Sequence, residues 1–527
     1  MSVFFRGNIL SALLYKKYSP DEGIYELLNG ENIVPNVTSG NTLTAKDWKQ
    51  EALLRLIINK TEIDVSQYFG KLPSYQYEEL VDWISLRDKV KSIINLADNE
   101  TIIFENGKIR DTISTSTEHP RAVFIDNNYK YFDNFETSFY PFYEKTLKSN
   151  FNFSGTNEFF EEQYRIFDDI SNEYFNGSLD GRFAITAGFG IKGTAQASAI
   201  YEKGGVVVVI DVNSRLLEKR VEDGFCNRVF YDTESAIDYA IDMKKSGIPK
   251  IIGLVGNASE ALLEVVNKGV VPNIVTDATP SDQPLSYLPI GYRFSDSFRI
   301  KRVDPEYYIR LSNHSMMLQV KAMIDLQKRG SFVFEFGDNL KTKAYNKGLD
   351  SALAINNIDP IIEKSLLNLS NKVIIKWVAI SNNQEDIFLI DDLITSDFYD
   401  NPDFSRLTNI YSKFIFNKNL PSRKAIVDKN EAKQFIKKIN EMIRNEEISC
   451  PILITTSKLD SFVNDELFFS EGFVDFNNVI KNLDVFKNTD FVDLTYLGNQ
   501  DKYHKMEQKS MLIDGSDFFT YKLDSFL

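Results

Sequence analysis

Apolar and polar positions alternate at different periods along the chain, and the change of period divides it. In "TLTAKDWKQEALLRLIINK" (42–60), Trp48, Ala52, Leu53, Leu56 and Ile57 recur at helical spacing, and Thr44 is the expected cap of the turn Ala45–Trp48. A second helix is expected within 78–98. "ETIIFENGKIRDTIS" reads as a hairpin, two β-rich runs around Asn106-Gly107, and "RAVFID" as a further strand. From about 155 the pattern becomes a regular alternation. An amphipathic helix, "TNEFFEEQYRIFDDISNEYF", precedes the strand "RFAITAG", the helix "TAQASAIYEKG" and the strand "GVVVVID". The helix "ESAIDYAIDMKKSG", the strand "KIIGLVGN", the helix "ASEALLEVVNKG" and the strand "NIVTDAT" follow. Continuous apolar strands between helices are the signature of a doubly wound parallel sheet, buried on both faces. The helix "NHSMMLQVKAMIDLQKRG" and the strand "SFVFEFGDN" come next. The last third mixes helices with the apolar strands "KVIIKWVAIS" and "CPILITTS".

The fold class is therefore α/β. A Rossmann-like domain at 151–345 is expected to interrupt a discontinuous α/β core domain made of 1–150 and 346–527. The chain of 527 residues is long enough for more than one core.

The connection between the first two strands of the alternation carries chemistry. "AITAGFGIKGTAQASAIYEKGGVVVVID" contains G-x-G-x-x-G between a strand and a helix. Gly188 permits a tight turn, Gly190 lets backbone approach a pyrophosphate, and Gly193 lets helix and strand pack closely. The phosphates would lie at the helix N-terminus, where free N–H groups and the macrodipole favour negative charge. Asp211 ends the following strand. A carboxylate there accepts hydrogen bonds from an adenosine ribose and repels the 2′-phosphate of NADP. Lys192 is either a phosphate contact or a solvated loop lysine. Asn257, at the next strand end, is either a helix cap or a ligand contact, and "VTDATPSDQP" is a third strand end rich in hydroxyls and acids.

Charge and composition narrow the partners. A formal net charge of −15 argues against a nucleic-acid partner. No apolar run reaches the roughly 18 residues a membrane span needs, so no membrane partner is expected. Cys226 and Cys450 stand in no metal-type spacing, and His119, His314 and His504 are scattered, so no metal is expected. With so few cysteines the cytoplasm is the expected compartment.

The order of motifs resembles the urocanase (urocanate hydratase) family over nearly the whole chain. It is carried by "DWKQEALLRLIINK", "AGFGIKGTAQASA", "SRLLEKRVEDGFCN", "GLVGNASE", "VTDATPSDQPLSYLPIGY", "SMMLQVKAMIDLQKRGSFVFEFGDNLK", "KWVAISNNQEDI", "LPSRKAIV" and "EISCPILITTSKLDS". The resemblance implies a homodimer acting on a small-molecule substrate, with NAD held tightly as an electrophile rather than a hydride acceptor. Within the matching stretches it implies cofactor contacts at Gly188, Gly190, Gly193, Arg220, Asn257, Ala258, Tyr287 and Gly337; the family's acid on the strand after the glycine loop is displaced, with Val209 or Ile210 in its place and Asp211, the remaining cofactor candidate, beside it. Asp460 matches a family aspartate of the active-site region. The sequence also departs from the family pattern: Ala425 stands at its cysteine, Phe336 at a tyrosine, Lys341 at an arginine, Ala278 at a glutamine and Asp282 at a histidine. The family's late His-His-Gly-Gly-Gly stretch has no match. Arg to Lys gives up a planar fork for carboxylates, and Tyr to Phe a hydroxyl. The expected function is then a urocanase-like hydratase or lyase acting on urocanate or a related conjugated substrate, with Asp460 and Lys341 as catalytic candidates. A catalytically inactive relative and an NAD-dependent oxidoreductase are the alternatives.

Overall fold

The computed structural model describes residues 20–36, 39–66, 82–128, 156–279, 285–336, 340–356, 372–401, 420–449, 451–458, 469–470, 473–498 and 503–517, with short pieces at 281, 358, 360–361, 403–404, 522–523 and 526–527. Its strands form two large sheets. Strands β1 (Glu100–Glu105), β2 (Lys108–Ser114) and β3 (Ala122–Asn128) come from the N-terminal third. Six strands of the middle are β4 (Phe183–Ala187), β5 (Val206–Asp211), β6 (Arg228–Phe230), β7 (Lys250–Val255), β8 (Ile274–Val275) and β9 (Phe332–Val333). The C-terminal third supplies β10 (Lys372–Ala379), β11 (Ser422–Asp428), β12 (Ile452–Lys458), the small ladder β13 (Phe469–Ser470) with β14 (Phe473–Val474), then β15 (Phe491–Gly498) and β16 (Tyr503–Ile513).

The middle strands make a parallel six-stranded sheet in the order β6-β7-β5-β4-β8-β9. Val206 to Ile210 of β5 are all buried, as a central strand with helices on both faces requires. Two strands are shorter than their apolar runs predict. "NIVTDAT" yields only Ile274–Val275, because the ladder to β9 is short, yet Thr276 N–H and Ala278 N–H still reach Ile185 O and Ala187 O at 2.9 and 2.7 Å. "SFVFEFGDN" gives Phe332–Val333, after which the Glu335 carboxylate accepts the amides of Leu340 and Lys341, which open the next helix.

The larger sheet has eight strands in the order β11-β10-β12-β16-β15-β3-β1-β2, so the N- and C-terminal thirds share one hydrogen-bonded ladder. β3 pairs in parallel with β15 on one side and β1 on the other. Asn106 and Gly107 both take positive φ in the β1–β2 turn, the geometry that Asn-Gly serves. The helix Thr156–Tyr174 joins the two units. It packs on the helix Ile191–Glu202 and on β11, where the Arg165 guanidinium donates to Ile426 O at 3.2 Å.

A buried ion pair ties the N-terminal segment down. The helix of the first motif begins at Trp48, not at Ala45: the Asp47 carboxylate accepts from Gln50 N–H at 2.9 Å, and Thr44 does not cap it. Thr44 and Ala45 instead donate their amides to the Glu51 carboxylate at 2.8 Å each. Glu51 pairs with Arg55 at 2.7 Å, both fully buried. The guanidinium also donates to Thr42 O at 2.8 Å and to Ile380 O, just past β10, at 2.6 Å. Arg55→Ala strands the Glu51 carboxylate in the core and is expected to cost about 3–5 kcal/mol, read as a shift in the urea unfolding midpoint.

Candidate functional site

Strand order reverses at β4, with β5 on one side and β8 on the other, so a crevice opens beyond the carboxyl ends of these strands. The three glycines there differ in what surrounds them. Gly188 has φ +86°, and a Cβ on it would lie 2.7 Å from Ala278 O. On Gly193 a Cβ would fall 1.8 Å from Gly188 O. Both positions are closed to any side chain. At Gly190 nothing lies within 4 Å of where a Cβ would be. Gly190 is also the N-cap of the helix Ile191–Glu202 and supplies no capping side chain. The helices that open beside it are capped by their own residues, Ser214–Glu222 by Asn213 and Ala258–Asn267 by Asn257. A helix mouth without a side-chain cap, fronted by open space, suits an anionic group.

The remaining candidates fall into three groups. Asp211 and Arg220 meet the glycine loop from the same side. The Asp211 carboxylate accepts from Phe189 N–H at 2.7 Å and from Asn213 N–H at 2.9 Å, and Arg220 Nε donates to Phe189 O at 3.3 Å. Burial raises the Asp211 pKa, partly offset by those amides and by Arg220. Each carboxylate oxygen keeps a second lone pair for a ribose hydroxyl.

Asn257 and Tyr287 face inward. Asn257 accepts from Ser259 N–H at 2.9 Å and donates to Leu288 O at 2.8 Å, so its side chain serves as a cap and a tie; Ala258 beside it is buried. The Tyr287 hydroxyl bonds with Ser259 Oγ at 3.0 Å and donates to the Gln319 side-chain carbonyl. Gln319 Nε2 donates to Asp277 Oδ1 at 2.7 Å, and Asp277 Oδ2 accepts the amide and hydroxyl of Thr279 at 3.0 and 2.7 Å. This chain of buried groups joins the helix after β7 to the end of β8. Asp277 lies in the acid-rich strand end "VTDATPSDQP" without being singled out there, and Gln319 escaped the sequence reading. Their one signal is polarity within otherwise apolar surroundings, the strand end "NIVTDAT" and the apolar face of the helix Pro305–Lys328.

Lys341 stands half-buried at the start of the helix Leu340–Asn346. Ala278 is the residue whose backbone meets Gly188. Ala425 is fully buried in mid-β11, paired with Ile375, and Phe336 packs edge-on against Phe334, so both positions are apolar packing sites here. Asp460, Gly337, Asp282 and Cys450 lie outside the described residues. Among the described residues no group of His, Cys, Asp and Glu is disposed to hold a metal ion, and no helix is long and apolar enough to cross a membrane. Cys226 is a buried thiol directed at Arg228 O.

The parallel sheet, its switch point and the glycine loop define a Rossmann-like α/β protein. Residues 155–360 match the urocanase Rossmann-like domain, 372–488 the urocanase C-terminal domain and 36–145 the urocanase N-terminal domain. The chain belongs to the urocanase family. That family is one of lyases, hydratases of a small-molecule substrate, and its Rossmann-like domain is the NAD-binding one.

Two outcomes follow from the loop geometry. Gly193→Ala has no room and is expected to cost about 3 kcal/mol or more in stability. Gly190→Val is expected to keep the fold within about 1 kcal/mol and, on the dinucleotide reading proposed below, to weaken NAD+ binding by about tenfold or more. Thermal melts and calorimetric titration of both variants separate the two effects.

A third outcome concerns pH. Burial raises the Asp277 carboxyl to about 6, with Thr279 and Gln319 opposing. The folded chain therefore holds that proton more tightly than the unfolded chain does. The protonated form favours folding fully below about pH 4, and this contribution is lost as pH rises through 6. In Asp277→Asn the Gln319 amide turns over and the chain of hydrogen bonds reverses, so no group is orphaned. Relative to the wild type, the variant is expected to gain on the order of 3 kcal/mol between pH 4 and 7, measured by urea unfolding at both values.

Proposed function

We propose that this chain is a diverged urocanase-type lyase that holds NAD+ at the glycine loop and directs it, as an electrophile, at a conjugated small molecule related to urocanate. The observation that carries the reading is the open position at Gly190, at an uncapped helix mouth, between two glycines closed by backbone. An oxidised pyridine dinucleotide supplies an electron-poor ring. The chain's own residues do the rest. The first-turn amides from Ile191 onward receive the diphosphate, and Asp211 accepts from the adenosine ribose and repels a 2′-phosphate. Lys341 offers the substrate an ammonium in place of the guanidinium fork, a point charge rather than a bidentate clamp, and Asp460 is the candidate for proton handling. A discontinuous core domain, 1–150 with 346–527, around an inserted domain at 151–345 is supported by the eight-stranded sheet drawing on both ends of the chain. A cytoplasmic homodimer completes the reading.

A second reading, a relative that binds NAD+ without turning substrate over, is favoured by the apolar packing of Ala425 and Phe336, where neither a thiol nor a phenol is available. The purified chain, denatured and assayed, is expected to release NAD+. Incubated with urocanate, it is expected to leave the substrate's ultraviolet absorbance unchanged. Loss of that absorbance overturns the divergence in substrate. Absence of any releasable or bindable NAD+ overturns the cofactor reading itself. A screen of other conjugated heteroaromatic acids separates the lyase from the silent relative.

A further inference from the structure

Asp277 lies one residue beyond Thr276 at the carboxyl end of β8, on the side of the switch point opposite Asp211. Its neighbour Ala278 forms the wall against which Gly188 turns. The carboxylate is buried and anchored at three points, by Gln319 Nε2 and by the amide and hydroxyl of Thr279. None of these is charged. Among the described residues no cation takes part in setting its acid strength, and it enters no ion pair with them. A buried carboxylate held by neutral donors alone is uncommon, since buried charges are as a rule paired. The hydroxyls of Thr276 and Ser281, both fully buried on either side of it in sequence, bond to no protein group among the described residues. Among the described residues, then, the segment carries a negative charge with no cation beside it and two hydroxyls with no partner.

The position gives that charge a use. This step rests on the dinucleotide reading of the same crevice. With the diphosphate at the helix mouth, the two nucleoside halves extend to opposite sides of the switch point. Asp211 marks the β5 side as the adenosine side. The other half then falls on the β8 side, beside Asp277. In NAD+ that half carries a pyridinium, a positive charge; in NADH it is neutral.

We propose that Asp277 is the counter-charge for the cationic ring, so that the crevice selects the oxidised dinucleotide over its neutral reduced form. The charge is fixed before binding. Gln319 and Thr279 hold it, and behind Gln319 the Tyr287 and Ser259 hydroxyls fix the amide in turn. Across a poorly solvated gap of several ångströms a unit charge pair is strong enough to separate the two ligands by about tenfold or more. Selection of this kind suits a protein that uses the ring as an electrophile, because hydride loading would remove the electron sink.

Calorimetric titration of the full chain, freed of any co-purifying ligand, with NAD+, NADH and ADP-ribose tests this. The wild type is expected to bind NAD+ about tenfold or more tighter than NADH. Asp277→Asn is expected to lose about tenfold for NAD+ while NADH and ADP-ribose, which lacks the ring, stay within about twofold. Equal losses for all three ligands, or no loss for NAD+, overturn the proposal and leave the dinucleotide site standing. If the variant does not fold, the wild type alone decides: equal affinity for NAD+ and NADH overturns the proposal, and a tenfold preference supports it. Binding of none of the three overturns the dinucleotide reading and the counter-charge together.

Discussion

The crevice exists because two stretches of backbone come closer than any side chain allows. Gly193 sits over Gly188 O at a distance where a Cβ would be 1.8 Å away, and Gly188 itself turns at positive φ against Ala278 O. That double approach lets β4 run into the helix Ile191–Glu202 with no spacer, and so aims the helix mouth at the carboxyl edge of the sheet. Asp211 and Arg220 then hold the loop backbone at the buried Phe189, one by its N–H and the other by its C=O. The chain shape at Gly190 is thus held from outside, and Gly190 needs no contact of its own. Its lack of a side chain is a matter of space left, not of conformational freedom, since its φ is an ordinary −65°.

Several buried polar groups join segments distant in sequence. Glu51 and Arg55 hold residues 42–45 against the end of β10. Arg423 meets Asp391 through Nε and a terminal nitrogen at 3.3 and 2.9 Å, tying β11 to the helix Gln384–Asp397. Even with that guanidinium beside it, burial holds the Asp391 carboxyl up at about 6, so desolvation outweighs the pairing. Asp277 belongs to the same class of buried acid but differs in kind, having amide and hydroxyl donors in place of a cation. Asp386, held by the Ser381 and Ser449 hydroxyls, is a second buried carboxylate with neutral donors, but it lies away from the crevice.

Much of this was legible in the sequence, for a physical reason. Continuous apolar strands alternating with helices leave few ways to bury both faces, so the order β4, β5, β7, β8, the tight turn at Gly188 and the close packing at Gly193 could be read directly. The Asn-Gly hairpin was equally plain. What escaped was whatever depends on contacts between distant segments. Thr44 looked like a cap, but the Lys46 amide it would receive goes to the Gln50 side-chain carbonyl at 3.2 Å, and the Thr44 and Ala45 amides go to Glu51. "SFVFEFGDN" looked like a full strand, but Glu335 is drawn away to cap the helix that follows. Asn257 could be read as a cap or a contact, and only its second bond, to Leu288 O, shows that both ends of the amide are engaged. Gln319 shows only its polarity on an apolar helix face, because its two partners, Asp277 and Tyr287, lie far along the chain.

The departures from the family pattern bear on this division. Ala425 lies in the fully buried interior of β11, and Phe336 among Phe167 and Phe334. An alanine and a phenylalanine satisfy those places as packing, with no polar group left over. The glycine loop cannot drift in the same way, because at Gly188 and Gly193 any added atom collides with backbone. Selection on folding alone therefore preserves those two glycines whether or not a ligand binds. It does not preserve Gly190, where a side chain would meet nothing within 4 Å, nor an acid at 277 that burial penalises. Those two positions are where folding and ligand binding make separable demands, so substitutions there report on a ligand while substitutions at Gly188 and Gly193 report on the fold.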